Sequence, residues 1–262
     1  MSDRRTDRTY LLERQYKTTD NLRARIDCHK LFSTSSVSWP DWVFAHYDFG
    51  DDADVLEVGC GDGSIWVEKR DAVPGGWRLT LTDMSPGMIE AARAAIGDRA
   101  EYSVADVQEL PFDDASFDAA IANHVLFHVP DRDRALREVA RVLRPGGVLV
   151  GTMIGMNHFR ELRDVLGGEE NVIWSESRRR FGLETASPQL ERVFVDVEIE
   201  PFPDALEVTD VEPFLRFVRS LDTPGLTEAH LRQVRDAVAR AIRERGAFQV
   251  TKESGRFRCR NP

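Results

Sequence analysis

The sequence predicts an α/β fold, a mostly parallel sheet with helices packed on both faces. Between residues 54 and 152, apolar runs alternate with stretches of helical periodicity, which is the pattern of βαβ units. The first run, residues 55–58, leads directly into three alternating glycines, and the second, residues 78–82, ends on an acid. In a doubly wound sheet such turns lie at the carboxyl edge of the strands, where these folds bind their ligands.

The turn after the first strand reads Gly59-Cys60-Gly61-Asp62-Gly63. Glycine adopts backbone angles that other residues resist and lets a ligand approach the main chain, so a nucleotide-like ligand is expected. The dinucleotide fingerprint needs Gly or Ala three residues after the second glycine, and Ser64 stands there. Glu57, two residues before the loop, would repel a pyrophosphate and favours a cation instead.

Acids and an amide follow the next strands. Asp83 ends the second strand roughly twenty residues after the loop, a spacing at which a carboxylate accepts hydrogen bonds from ribose hydroxyls. Ser85 and Pro86 then start a helix. The third strand, residues 101–105, ends at Asp106, and the fourth, residues 118–122, ends at Asn123.

These segments resemble a known family. Residues 57–63 look like motif I of the class I S-adenosylmethionine-dependent methyltransferases, and residues 83–88 resemble the second motif. The Pro-Gly-Gly turn and strand at residues 143–150 match the motif that follows the fourth strand's helix, so the resemblance covers about residues 54–152. It implies a Rossmann-like, seven-stranded, mostly parallel sheet with S-adenosylmethionine as cofactor, whose sulfonium and ammonium are the cations that Glu57 favours.

The resemblance also implies site residues. Asp106 would receive the adenine amino group, and Val107 would pack on the ring. The complete set of expected cofactor-binding residues is Glu57, Gly59, Cys60, Gly61, Gly63, Asp83, Met84, Asp106, Val107, Asn123 and, from the N-terminal segment, Arg25.

Residues 1–50 are expected to form a helical lid that folds over the cofactor and lines the acceptor pocket. The segment is dense in aromatic residues. Tyr16, Arg25 and His29 are placed to face a ligand, whereas Trp39 and Trp42 either line the pocket or pack against the flank of the domain.

Methyl transfer needs a general base only if the nucleophile carries a proton. The candidate catalytic residues are His124 and His128 after the fourth strand, and Tyr16 and His29 in the lid. His124 is the preferred base, and His128 suits a structural hydrogen bond. The spacing of the two histidines after the strand could also suit a metal ion, but no Asp, Glu or Cys lies between them, so no metal is expected.

The chain after the lid is expected to comprise three parts. The core is expected to span residues 51–200, a helical insertion residues 201–247, and the final strand or strands residues 248–262. The inserted helices form either a cap over the pocket or the surface of a homodimer.

Composition and motifs narrow the classes of molecule that the protein is expected to bind. A net charge of −10 argues against a broad nucleic-acid-binding face. Residues 123–126 lack the prolines and stacking aromatic residue with which amine methyltransferases grip a flipped base. No apolar run is long enough to span a bilayer, and the three cysteines form neither a disulfide framework nor a zinc pattern. We therefore expect a cytoplasmic enzyme that acts on a small molecule, without nucleic acid or membrane.

The sequence thus predicts a methyltransferase that acts on an oxygen, nitrogen or carbon nucleophile of a small organic acceptor. Two alternatives stay open at this point. One is a nicotinamide-dependent oxidoreductase, which Ser64, Glu57 and the missing Tyr-x-x-x-Lys pair disfavour. The other is a protein that binds S-adenosylmethionine without transferring its methyl group.

Overall fold

A computed structural model describes residues 6–167, 179–222 and 225–262. Within these ranges the chain forms one seven-stranded sheet with the strand order β3-β2-β1-β4-β5-β7-β6. The strands are β1 (Asp54–Val58), β2 (Arg78–Asp83), β3 (Ala100–Val104), β4 (Phe117–Asn123), β5 (Leu143–Ile154), β6 (Val195–Val208) and β7 (Phe248–Arg260).

Strands β1 to β5 pair in parallel, whereas β7 runs antiparallel to both β5 and β6. The strand order reverses between β1 and the central strand β4. This is the switch point where such folds bind ligands. The predicted α/β fold with a mostly parallel seven-stranded sheet is confirmed.

Both faces of the sheet are covered, which explains the continuous apolar runs in the sequence. On β1, Leu56 and Val58 belong to a core cluster with Leu136 of α6 (Arg132–Val142). Val55 faces the other way, into a cluster with Ile89. The helices on that second face are α4 (Ser64–Glu68) and α5 (Pro86–Ile96).

The N-terminal segment is helical as predicted. It contains α1 (Arg8–Tyr10), a π-helical turn (Leu11–Gln15), α2 (Asp20–Phe32) and α3 (Trp39–Phe44). Further along the chain, α7 (Arg160–Val165) and α8 (Ser187–Leu190) lie between β5 and β6.

Strand β6 continues to Val208, past the boundary expected at residue 200, because its inward residues Phe202, Leu206 and Val208 stay buried along the longer pairing with β7. The insertion is therefore shorter than expected. It consists of α9 (Val211–Ser220) and α10 (Glu228–Arg245). Cys28 and Phe32 of α2 share one core cluster with Phe214 and Phe217 of α9, so the lid and the insertion pack together at the carboxyl end of the sheet.

Candidate functional site

The three glycines of the loop after β1 all adopt the left-handed backbone region, with φ of 72° at Gly59, 57° at Gly61 and 71° at Gly63. Their surroundings differ. A Cβ at Gly59 would lie 2.6 Å from Val125, and one at Gly63 would lie 2.5 Å from Ile96, so these two positions allow close packing of neighbouring elements. A Cβ at Gly61 would lie 3.2 Å from Leu22 of the lid. Gly61 is therefore the glycine of the loop that faces the lid.

Asp83, at the end of β2, holds this loop in place. Its Oδ2 accepts a hydrogen bond of 3.1 Å from the backbone N–H of Gly61, and its Oδ1 accepts one of 2.8 Å from the N–H of Ser85. Burial raises the pKa of the Asp83 carboxyl above its ordinary value, although both hydrogen bonds oppose the shift. Each carboxylate oxygen keeps a lone pair beyond these bonds, so Asp83 can still accept from a ligand hydroxyl.

Asp106 follows β3 on the same edge of the sheet. Its Oδ1 accepts from the backbone N–H of Gln108 at 2.9 Å, and its Oδ2 lies 3.7 Å from the guanidinium of Arg8. Val107 beside it is buried, and Met84 is partly buried. Acidic and apolar groups thus lie next to each other at this edge of the sheet.

Glu57 is placed differently from the expectation that it faces a bound cation. The side chain is buried, with Oε2 accepting from Trp66 Nε1 at 2.5 Å and Oε1 accepting from Asn123 Nδ2 at 3.1 Å. Burial raises the pKa of Glu57 to about 7, while these two hydrogen bonds lower it and the charge of Asp83 raises it further. The Glu57 carboxylate therefore links Trp66 of α4, the helix after the loop, to Asn123 at the end of β4.

Asn123 is oriented by the same network. Its Nδ2 donates to Glu57 and to the Tyr47 hydroxyl, the latter at 2.7 Å. Its Oδ1 is buried and has no hydrogen-bond partner. A buried unpaired acceptor at the tip of a central strand is costly unless a donor from a ligand meets it.

Cys60 lies between the glycines but turns away from the groove. Its side chain belongs to the core cluster around Val55 and Ile89, and burial raises the pKa of its thiol well above the ordinary value. Its contribution to the loop is the backbone N–H, which donates to the carbonyl of Thr82 at 2.9 Å.

The lid extends along the carboxyl edge of β1, β2 and β3. The Tyr16 carbonyl accepts from the Ser85 hydroxyl at 2.9 Å, Arg23 lies 3.8 Å from Asp62, and Arg8 approaches Asp106. Lid residues therefore meet the turns after β1, β2 and β3.

Two of the four candidate bases form one group. The Tyr16 hydroxyl lies 3.1 Å from His128 Nε2 and 3.5 Å from the guanidinium of Arg25. Arg25 also donates to the Ser220 carbonyl at 3.1 Å, whereas its buried Nε has no partner. The structure thus brings Tyr16 and Arg25 of the lid together with His128, which follows β4.

The other two candidates, His29 and His124, lie near a residue that the sequence analysis did not single out. Burial, assisted by the charge of Lys252, lowers the pKa of His124 to about 4. The same two causes lower the pKa of His29 well below its ordinary value. Both imidazoles are therefore neutral near pH 7, and the same causes make each of them a weak base.

Lys252, Asp204 and Trp39 complete this second group. Trp39 stacks on His124, with ring centroids 5.4 Å apart, and so lines the site as well as packing against Trp42. A signal for Lys252 was available in the sequence, because strand alternation puts it on the same face as Phe248 and Val250, which are buried. Alternation likewise puts Asp204 with Phe202 and Leu206.

Across the ranges that the structure describes, no three His, Cys, Asp or Glu residues are grouped so that they could hold a metal ion. No described helix combines the length and the apolar character that crossing a membrane requires.

The sheet order and the glycine turn define a Rossmann-like domain. Residues 56–151 match the family model described as a methyltransferase domain. The chain is 39% identical over 102 residues to the methyltransferase GfsG of Streptomyces halstedii, covering 36% of this chain and 35% of that protein. It is 29% identical over 208 residues to a malonyl-[acyl-carrier protein] O-methyltransferase of Pseudescherichia vulneris, covering 78% and 77% of the two.

The fold comparison agrees. A phosphoethanolamine N-methyltransferase 2 of Haemonchus contortus, solved with S-adenosyl-L-methionine, matches with a TM-score of 0.61 at 19% identity, over 98% of this chain and 60% of that one. The chain spans about a third of the length of several of the curated relatives it matches. Residues 56–151 therefore form a methyltransferase domain, on a fold shared with a methyltransferase that was solved with S-adenosylmethionine as its cofactor.

Proposed function

We propose that this chain transfers the methyl group of S-adenosylmethionine to an oxygen, nitrogen or carbon nucleophile of a small organic molecule. The observation that carries the proposal is the line of acceptor groups along one edge of the sheet, from Asp106 through Asp83 to the unpaired Oδ1 of Asn123. This line offers acceptors to the adenine amino group, the ribose hydroxyls and the ammonium of the cofactor in turn.

The residues present fit that cofactor. Val107 and Met84 give an apolar border for the adenine ring, and the absence of a Cβ at Gly61 lets Leu22 of the lid lie close to the loop. Arg25, whose guanidinium has no carboxylate partner among the described residues, suits the methionine carboxylate. When bound, the cofactor supplies a methyl group on a positively charged sulfur that is a good leaving group.

The chain's own residues would orient the acceptor, exclude water and take a proton. Proximity and alignment supply much of the acceleration in such displacements. His124 and His29 are kept neutral by burial, which makes them weak bases that take a proton only as the nucleophile becomes more acidic on bonding to carbon, and the Tyr16 hydroxyl lies 3.1 Å from His128 Nε2. The lid helix α2 packs against the inserted helix α9, so both cover the acceptor side.

A small organic acceptor is favoured over nucleic acid. The net charge of −10 gives no extended cationic surface for nucleic acid. The relative from Streptomyces is named a methyltransferase, and another from Amycolatopsis mediterranei, 40% identical over 98 residues, is named a 27-O-demethylrifamycin SV methyltransferase. The three cysteines are buried and free, which suits a reducing compartment such as the cytoplasm.

Calorimetric titration with S-adenosylmethionine, S-adenosylhomocysteine and NADH tests the cofactor part of the proposal. We expect both sulfur compounds to bind and NADH not to bind. Methyl-labelled cofactor incubated with a panel of phenols, carboxylic acids and amines then tests transfer. Binding of NADH in place of the sulfur compounds would overturn the proposal, as would cofactor binding with no labelled product from any acceptor class.

A further inference from the structure

Lys252 carries a buried ammonium group on β7, close to Trp39 of the lid. Its side chain is 4% exposed, and its Nζ donates to Asp204 Oδ2 at 2.5 Å. The two residues are direct partners in the register of β6 and β7, so they project from the same face of the sheet. A buried ion pair is in general no more stabilising than a packed apolar pair, so stability alone does not account for a buried cation at this position.

Asp204 and Lys252 differ in how many of their hydrogen-bonding groups have partners. Asp204 accepts further hydrogen bonds from the Ser33 hydroxyl and from the backbone N–H groups of Thr34, Ser35 and Ala205. An ammonium group has three N–H donors, and within the described residues Lys252 has one side-chain hydrogen-bond partner, Asp204. The cation therefore keeps donor capacity that this part of the chain does not fill.

The surroundings of Lys252 connect it to the candidate bases. Its Nζ lies 5.5 Å from the centroid of the Trp39 ring and 5.2 Å from that of Phe202. Trp39 stacks in turn on His124, the first residue after β4. The Lys252 charge also lowers the pKa of both His124 and His29. Burial lowers the pKa of Lys252 while the hydrogen bond to Asp204 opposes that shift, so the pair holds a positive charge near neutral imidazoles.

Resting on the proposed function, we propose that Lys252 holds the acceptor as an oxyanion, so that the acceptor is an acidic hydroxyl compound, a phenol or an enol. The hydroxyl group of the acceptor loses its proton to solvent, and the acceptor is bound as the oxyanion. The oxygen then uses its lone pair to form the bond to the methyl carbon, and the carbon–sulfur bond breaks with its electron pair left on sulfur. Lys252 keeps its own proton throughout.

The same arrangement discriminates against amines. A protonated amine would bring a second positive charge next to the buried ammonium, which costs free energy through like-charge repulsion in a poorly solvated site. A neutral amine would gain nothing from the cation. Lys252 is thus a residue that determines specificity for oxygen acceptors.

The test uses two probes of matched shape, 4-nitrophenol and 4-nitroaniline, of which the first ionises to an oxyanion. Binding of each to the full chain, in the presence of S-adenosylhomocysteine, is followed by difference absorbance at pH 8. We expect the phenolate to bind at least about tenfold more tightly than the aniline, as a charge-assisted hydrogen bond provides. Lys252→Met should abolish the preference, and Lys252→Arg should keep part of it.

Lys30→Met is the matched control, because Lys30 lies on the exposed side of α2 with Glu68 as its partner, and it should keep the wild-type preference. If Lys252→Met does not fold, the double variant Asp204→Asn with Lys252→Met removes both charges and should show no preference. Equal affinities in the wild type, or a preference that survives the loss of Lys252, would overturn the inference. Calorimetry on the same samples separates the two proposals: retained S-adenosylhomocysteine binding without phenolate preference overturns this inference alone, whereas lost cofactor binding overturns the proposed function.

Discussion

Gly61 and Asp83 are joined by a hydrogen bond of 3.1 Å from the glycine N–H to Oδ2 of the carboxylate, across 22 positions of the chain. The second oxygen of Asp83 accepts from the N–H of Ser85. One side chain therefore fixes the glycine turn after β1 relative to the helix start after β2. The position of the main chain in the groove depends on this carboxylate, which we also expect to meet the ribose.

Asp83→Asn should weaken cofactor binding by about tenfold or more. Asparagine has one acceptor oxygen, so its amide N–H₂ would oppose the N–H of either Gly61 or Ser85. Calorimetric titration with S-adenosylhomocysteine measures the effect. Asp98→Asn, an exposed change on a surface turn, serves as the control and should bind as the wild type does. Unchanged affinity in Asp83→Asn would show that the carboxylate does not organise the groove.

Gly59→Ala should destabilise the fold by about 2 kcal/mol, from the left-handed backbone and the overlap together. Its φ is 72°, and the new Cβ would lie 2.6 Å from Val125. Urea unfolding measures the loss. Gly75→Ala is the control, because no heavy atom lies within 4 Å of a Cβ placed there. Adding Val125→Ala to Gly59→Ala should recover part of the loss, and a Gly59→Ala chain as stable as the control would contradict the packing role.

Glu57 makes stability depend on pH in a defined direction. Burial raises its pKa from 4.5 to about 7, so between these values the native chain binds a proton that the unfolded chain does not. The free energy of unfolding contributed by Glu57 therefore falls as pH rises through this window. Glu57→Gln removes the titration. The difference in unfolding free energy between wild type and variant should fall by up to about 3 kcal/mol from pH 4.5 to 7.

Denaturant unfolding at a series of pH values measures that difference. Glu244→Gln, on the exposed side of α10, should show a difference from wild type that does not vary over the window. A difference for Glu57→Gln that is equally flat would mean that the carboxyl titrates normally in the folded chain.

Asp204→Ala should destabilise the chain by about 3–5 kcal/mol, because it leaves the buried Lys252 ammonium without its partner. It also releases the Ser33 hydroxyl and thereby the loop between α2 and α3. Thermal and urea unfolding give the loss, and Asp236→Ala on exposed α10 surface is the control. Adding Lys252→Met should restore part of the stability. If the single variant is as stable as the control, the pair does not hold the lid.

Much of the cofactor side could be predicted from the sequence, because its determinants are local. A strand that ends at a glycine turn, or at Asp83 or Asp106, delivers that residue to the carboxyl edge in any doubly wound sheet. Glu57 shows the limit of local reasoning. Its position in the motif was clear, but its orientation toward Trp66 and Asn123 depends on a helix and a strand from elsewhere in the chain.

The sequence by itself determined the fold class, the carboxyl-edge position of the glycine turn and of Asp83 and Asp106, and the resemblance to the methyltransferases, because hydrophobic periodicity and short motifs specify these over spans of a few residues. Only the tertiary structure decided which candidate bases share a site. Tyr16 meets His128, and His124 lies with Trp39 beside Lys252, across separations that no periodicity encodes. The acceptor side is built by packing the lid, the insertion and the last two strands together, and the electrostatics of its buried groups exist only once that packing has excluded water.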